Sequence, residues 1–154
     1  DELFTAVRGA GAWLNGMPIS VTRCVELSQA LVGTGFGYDA ARRTSQARVL
    51  LEVLPVVRDI RRLGAASLDL CAVACGRFDG YYERGLNLWD YAAAGLVAAE
   101  AGARVGGLRG SSPSGEMVVA ATPCTGRPSI CSRCSPGRSP ACAAGPPGWT
   151  LATM

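Results

Sequence analysis

The sequence predicts an α/β fold, layered in the α+β manner, with a sheet flanked by helices. Three observations predict it. Short apolar runs bounded by Gly, Asn and Pro alternate with longer stretches of helical periodicity as far as Thr122. About half of the 154 residues are apolar (49%), enough for one domain with a core of its own. No apolar run reaches the roughly 18 residues that a membrane span needs.

The elements follow in order. "DELFTAVRGAGAWLNGMPIS" reads as strands joined by turns: Leu3, Thr5 and Val7 alternate with other residues, and Trp13 and Leu14 lie in the next run. Asn15-Gly16 between two such runs is a tight-turn signal. Leu27 to Ala30 opens a short helical turn with Ser28 as its candidate cap, and "LVGTGF" follows as a strand. Residues 40–54 form a first helix with Ala47, Leu50, Leu51 and Leu54 on one face. "VVRDIRRLG" returns extended. "AASLDLCAVACG" is a second helix, with Leu68, Cys71 and Ala72 sharing a face and Gly76 placed to end it. "RFDGYYE" has strand character, Asn87 can cap a third helix ending near Gly102, and "RVGGL" and "MVVAA" are two more strands.

Composition narrows the chemistry. There is no His and no Lys; all 15 basic residues are Arg. Every Ser-His or Cys-His nucleophile scheme and every His-ligated metal site is thereby removed. What remains is carboxylates, hydroxyls, thiols, or a hard cation held by oxygen. The net charge of +3 comes from Arg127, Arg133 and Arg138 alone, because the arginines and acids of residues 1–116 balance. The body therefore shows no basic bias toward nucleic acid, and no segment directs it to a membrane. No signal peptide is visible, and a cytoplasmic location is expected. The first residue is Asp1 rather than Met, so a missing upstream segment is also expected.

One carboxylate stands out. In "ERGLNLWDYAAAGLVAAEAG", Asp90 falls in the first turn of an alanine-rich helix, seven residues after Glu83. Backbone N–H groups and the helix dipole favour a negative charge there. Such a carboxylate suits a hard cation such as Mg²⁺. On pattern alone the commoner case is a helix-start Asp that only complements the dipole.

The same block carries a resemblance. "LNLWDYAAAGLVAAEAGARV" is similar to the C-terminal signature of the inositol monophosphatase family: Trp-Asp, small residues, then Glu-Ala-Gly. "ELFTAVRGAGAWLNGMPISV" resembles that family's strand-turn segment, and "RRLGAASLDLCAVACGRFDGYYE" its Gly-small-Ala helix entry and the following strand. The blocks stand in the family's order over residues 1–121. The resemblance implies the C-terminal part of a sugar-phosphatase fold and Mg²⁺-dependent hydrolysis of inositol monophosphate or a similar small phosphate ester. It implies Asp90 as a metal ligand and Glu83 as acceptor of substrate hydroxyls. It implies Gly64, Ala65 and Ala66 as a close-approach segment at a helix start, where N–H groups favour phosphate. Ala65 stands where relatives often carry a hydroxyl, so one substrate contact is expected to be absent. A homodimer is compatible with the full-length family member.

Two acidic motifs of the family are missing: a Glu-Glu pair after a Gly, and an Asp-Pro-apolar-Asp-Gly-Thr block. "GTGF" at Gly33 to Phe36 has no neighbouring Asp and is not that block. One carboxylate cannot satisfy several Mg²⁺ ions, each wanting near-octahedral oxygen ligation. No catalytic, water-activating residue is therefore assigned within the chain, and the chain alone is expected to be inactive. Apolar surface left uncovered is a further expectation. The rivals are a superfamily phosphatase for another ester, such as a nucleotide or histidinol phosphate, and a non-catalytic half-domain that binds a protein partner.

Residues 1–122 thus form one domain portion, and 123–154 are different. That tail is rich in Pro, Arg and Cys without periodicity, and is read as disordered or as the product of a reading-frame shift. Cys124, Cys131, Cys134 and Cys142 include one CxxC, which leaves a zinc module or nonspecific thiol reactivity as lesser readings. Cys24, Cys71 and Cys75 sit in patterned segments as core or near-core thiols.

Overall fold

A computed structural model describes residues 1–23 and 26–122 of the chain. Strands β1 (Phe4–Val7), β2 (Gly11–Leu14) and β3 (Met17–Pro18) make an antiparallel three-stranded sheet in that order. A five-stranded sheet has the order β5-β4-β6-β8-β7, built from β4 (Leu31–Thr34), β5 (Asp59–Arg61), β6 (Gly80–Glu83), β7 (Arg104–Gly106) and β8 (Val118–Ala121). β4 runs parallel to β5 and β6, whereas β8 is antiparallel to β6 and β7. Helix α1 (Ala40–Val53) lies between β4 and β5 in sequence, α2 (Ala66–Ala74) between β5 and β6, and α3 (Leu88–Glu100) between β6 and β7. The predicted layering of sheet and helices is what the chain adopts, and the five-stranded sheet is mixed.

Helices α2 and α3 pack on each other between the two sheets. This position explains their composition. From Asp69 to Ala74 every residue of α2 is buried, so the helix is apolar nearly all round. On α3, Ala94, Gly95, Val97 and Ala98 are buried, and these small side chains permit close approach to the neighbours. Both helices end as the glycines predict. Gly76 takes φ 73° and Gly102 φ 100°, the left-handed conformation that only glycine adopts without cost. The Arg77 N–H then reaches Ala72 O at 2.8 Å and the Ala103 N–H reaches Ala98 O at 2.9 Å, closing each terminus.

The strands alternate as their pattern requires. In β6, Tyr81 faces α2 and α3 while Tyr82 faces the opposite side; in β8, Val118 and Ala120 face the helices and Val119 the other side. Asn15 and Gly16 adopt positive φ (51° and 78°), the pair a two-residue hairpin turn needs between β2 and β3. Glu100 at the end of α3 accepts the Gly9 and Gly11 N–H groups at 2.9 and 3.2 Å and so ties the β1–β2 turn to the helix. Buried Asp79 accepts the Thr22 hydroxyl and the Leu31 N–H, both at 2.8 Å, joining β4 to the segment after β3.

Three expectations are corrected. On α1, Leu51 and Leu54 point largely to solvent; the side toward the sheet carries Gln46, Val49 and Val53, at the same three-to-four spacing. The docking of this helix depends on an amide, which an apolar count overlooks. On α2, Leu68 is exposed and the buried run begins one residue later at Asp69. Ser28 lies inside the 3₁₀ turn Leu27–Gln29 rather than capping it; Glu26 precedes the turn and makes no side-chain cap bond.

Cys71 is buried and Cys75 half-buried, both as free thiols. Cys24 and the segment 123–154, with Cys124, Cys131, Cys134 and Cys142, lie outside the described residues. Leu3, Val7 and Met17 are exposed around the three-stranded sheet. Among the described residues no helix is long and apolar enough to cross a membrane.

Candidate functional site

Two of the residues singled out in the sequence, Glu83 and Asp90, lie near the end of β6. Glu83 is its last residue and is half-buried. Two positions earlier on the same strand face, the Tyr81 hydroxyl donates to Glu83 Oε2 at 2.6 Å. Tyr81 is fully buried, so its hydroxyl needs a partner and finds it in this carboxylate. Burial raises the Glu83 pKa, the Tyr81 hydrogen bond and the Arg62 charge lower it, and the nearby Asp90 charge raises it. Glu83 and Asp90 thus lie within electrostatic reach of each other across the β6–α3 connection.

Asp90 stands third in α3 as predicted. Its Oδ2 accepts the Asn87 N–H at 2.8 Å, the return half of a capping box whose N-cap is Asn87. Trp89 beside it is largely exposed. Gly64, Ala65 and Ala66 form the entry to α2. Gly64 has φ 95°, Ala65 is the N-cap without a side-chain hydrogen bond, and Ala66 is the first helical residue. Gly64 is exposed and the two alanines are half-buried, so backbone N–H groups rather than side chains characterise this corner.

Asp69 was not singled out from sequence. It is 1% exposed, and its Oδ1 lies 3.4 Å from the Leu63 N–H, just before the Gly64 corner. Burial pushes its carboxyl up to about 6, opposed by the Leu63 N–H; the Glu83 charge raises it further and Arg62 lowers it. Arg62 also stacks over the Phe36 ring at 6.0 Å. The signal was present in the sequence: Asp69 is the one charge within "AASLDLCAVACG".

Among the described residues no group of three or more His, Cys, Asp or Glu side chains could hold a metal ion. Asp90 offers one carboxylate with an oxygen already engaged. Mg²⁺ wants near-octahedral oxygen ligation, so these residues do not by themselves make a magnesium site. On the far face of the five-stranded sheet, a groove of about 1230 Å³ runs under α1, lined by Val49, Val53, Tyr82, Met117 and Val119, with Glu83 at its lip. It holds neither Asp69 nor Asp90, and the polar cluster lies on the α2 side.

Comparison with known proteins places this arrangement. The profile of the inositol monophosphatase family matches residues 1–135. The chain belongs to the inositol monophosphatase family. It is 51% identical over 132 residues to an inositol-1-monophosphatase SuhB of Mycobacterium tuberculosis, covering 79% of this chain and 43% of that relative. A Nus factor SuhB of Pasteurella multocida is 42% identical over 125 residues, covering 79% of this chain and 47% of the relative. Among solved structures, Mycobacterium tuberculosis SuhB matches with TM-score 0.71 and 49% identity, over 79% of this chain and 49% of the other. The inositol monophosphatase of Anabaena matches with TM-score 0.74 and 37% identity, over 79% and 49%. The chain spans less than half the length of these curated relatives.

Proposed function

We propose that this chain furnishes the substrate-hydroxyl side and one metal ligand of a Mg²⁺-dependent phosphomonoesterase acting on inositol monophosphate or a similar small sugar phosphate. Glu83 accepts hydroxyls of the ester through its carboxylate, steadied by Tyr81. Gly64, Ala65 and Ala66 bring backbone N–H groups to the substrate at the head of α2. Asp90 contributes one oxygen ligand at the head of α3. Bound Mg²⁺ supplies a Lewis acid and an activated water in such hydrolysis. The chain's own part is to bind and orient the polyol and to hold negative charge facing the cation.

The observation that carries this reading is the convergence of Glu83, Tyr81, Asp69 and Arg62 with Asp90 at the end of one strand, in a family named for this hydrolysis. Among the described residues no group of three or more His, Cys, Asp or Glu side chains could hold a metal ion, so the reading calls for oxygen ligands beyond Asp90. A complementation assay tests it: the chain is mixed with a polypeptide carrying the acidic half of the family domain, and hydrolysis of inositol 1-phosphate is followed with Mg²⁺. Activity that depends on both pieces, and is lost with Glu83→Ala or Asp90→Ala, supports the reading. A mixture that folds together but hydrolyses nothing contradicts it.

A second reading draws on the Pasteurella multocida relative, named a Nus factor and not a phosphatase. In it the chain is a non-catalytic half-domain that binds a protein partner, and the same assay separates the two.

A further inference from the structure

The glycines of "LVGTGF" have no role in the site as described so far; Gly33 lies in β4 and Gly35 directly follows its last residue, Thr34. A Cβ built on Gly33 would lie 3.1 Å from Asp69 Oδ1 and 2.9 Å from the Phe78 ring. A Cβ built on Gly35 would lie 1.9 Å from Glu83 Oε2 and 2.2 Å from its carboxyl carbon. Two carboxylates of the cluster, Asp69 and Glu83, therefore lie directly on bare backbone, one over each glycine. Neither glycine is required by backbone conformation, since neither adopts positive φ. What they provide is space.

The backbone that offers this space is itself held. Buried Gln46 of α1 donates from Nε2 to Gly35 O and to Arg84 O, both at 3.3 Å, and accepts the Gly37 N–H at 2.9 Å. One amide thus spans the loop after β4 and the residue after Glu83. It fixes the distance between the floor and the strand that carries the carboxylate.

From this we infer that Gly35 is a positioning residue for Glu83: its missing side chain is the berth of the Glu83 carboxylate, Gln46 sets the berth's floor, and the Tyr81 hydroxyl pins one oxygen. The other oxygen is thereby presented in one orientation to a polyol hydroxyl, a consequence that rests on the proposed role of Glu83. The chemistry selects a neutral hydroxyl donor. A second anion at that position meets Glu83 and Asp90 together and is repelled.

A Gly35→Ala substitution in the full chain tests the berth. The clash falls on the end of a flexible side chain, so the expected result is a folded protein with Glu83 displaced. The Glu83 carboxyl ¹³C shift and the Tyr81 ring signals should both change. Thermal unfolding should show a loss that disappears when Gly35→Ala is made in a Glu83→Ala background, which also serves if the single variant unfolds. An equal loss in both backgrounds, or an unchanged Glu83 carboxyl signal in a folded Gly35→Ala protein, overturns the inference. A myo-inositol titration in the complemented assembly reads the function separately. Binding about tenfold weaker in Gly35→Ala is expected for one misaligned charge-assisted hydrogen bond. If the Glu83 signal moves and the thermal cycle couples while inositol binding is absent even without substitution, the berth stands and the hydroxyl-binding role of Glu83 fails.

Discussion

The Tyr81 hydroxyl and the Glu83 carboxylate, two residues apart on one strand face, share a hydrogen bond of 2.6 Å in a half-buried setting. The bond solves two problems together: a fully buried phenol gains an acceptor, and a partly desolvated carboxylate gains a donor. Tyr81→Phe keeps the ring and removes the donor. It should lower stability by about 1–2 kcal/mol. It should also move the Glu83 pKa further upward, since the Tyr81 bond acts to lower it. Urea unfolding and a carboxyl NMR titration measure the two effects.

Asp69 gives the chain a pH signature. Its folded pKa is raised from 3.8 to about 6, so the folded state holds a proton that the unfolded state releases across that window. Its contribution to stability is therefore complete below pH 3.8 and is lost as pH rises to about 6. The raised Glu83 acts in the same direction. Glu2 and Asp59, whose pKa values are lowered by Arg77 and Arg61, act in the opposite direction and only at lower pH. Thermal midpoints should thus fall between about pH 4 and 6, and Asp69→Asn should flatten that fall and raise the midpoint at pH 7.

The docking of α1 separates an amide from a leucine. Gln46→Ala leaves Gly37 N–H, Gly35 O and Arg84 O without their partner, and should cost about 1–3 kcal/mol. Leu51 is exposed, so Leu51→Ala should stay within about 0.5 kcal/mol. Comparison of urea midpoints checks the order; the reverse order would restore the leucine face expected from sequence.

The contrast shows what could be read in advance. The strands, the three helices and the glycine ends of α2 and α3 were legible because period, turn chemistry and caps agreed locally. Asn15-Gly16, Gly76, Asn87 and Gly102 each do what their residue type predicts. Gln46, Asp69 and Gly35 were not singled out, because their roles depend on partners far along the chain. Gln46 reaches Arg84, Asp69 lies over Gly33, and Gly35 makes room for Glu83. Asp90 stood out from its place in the first helical turn, whereas the roles of Glu83 and the Gly64 to Ala66 corner came through the family resemblance. Their local pattern alone also fitted a strand-end acid, a dipole-complementing Asp and a plain helix entry.

Asp90 has a structural role that needs no metal. Its carboxylate accepts the Asn87 N–H, and losing that cap should cost about 1 kcal/mol. Asp90→Ala should therefore lower the thermal midpoint in the presence of a chelator by as much as in its absence. A loss seen only with Mg²⁺ present would assign the residue to the cation alone.

On the proposed reading Asp90 offers one oxygen ligand and Glu83 meets the polyol, while the described residues hold no group of three or more His, Cys, Asp or Glu side chains that could hold a metal ion. Phosphate release from inositol 1-phosphate by the purified 154-residue chain alone, with saturating Mg²⁺, tests that most directly. The account predicts release no faster than in buffer with Mg²⁺ alone. Steady turnover well above that background, abolished by Asp90→Ala, would show that the chain assembles a working metal site unaided and would contradict it.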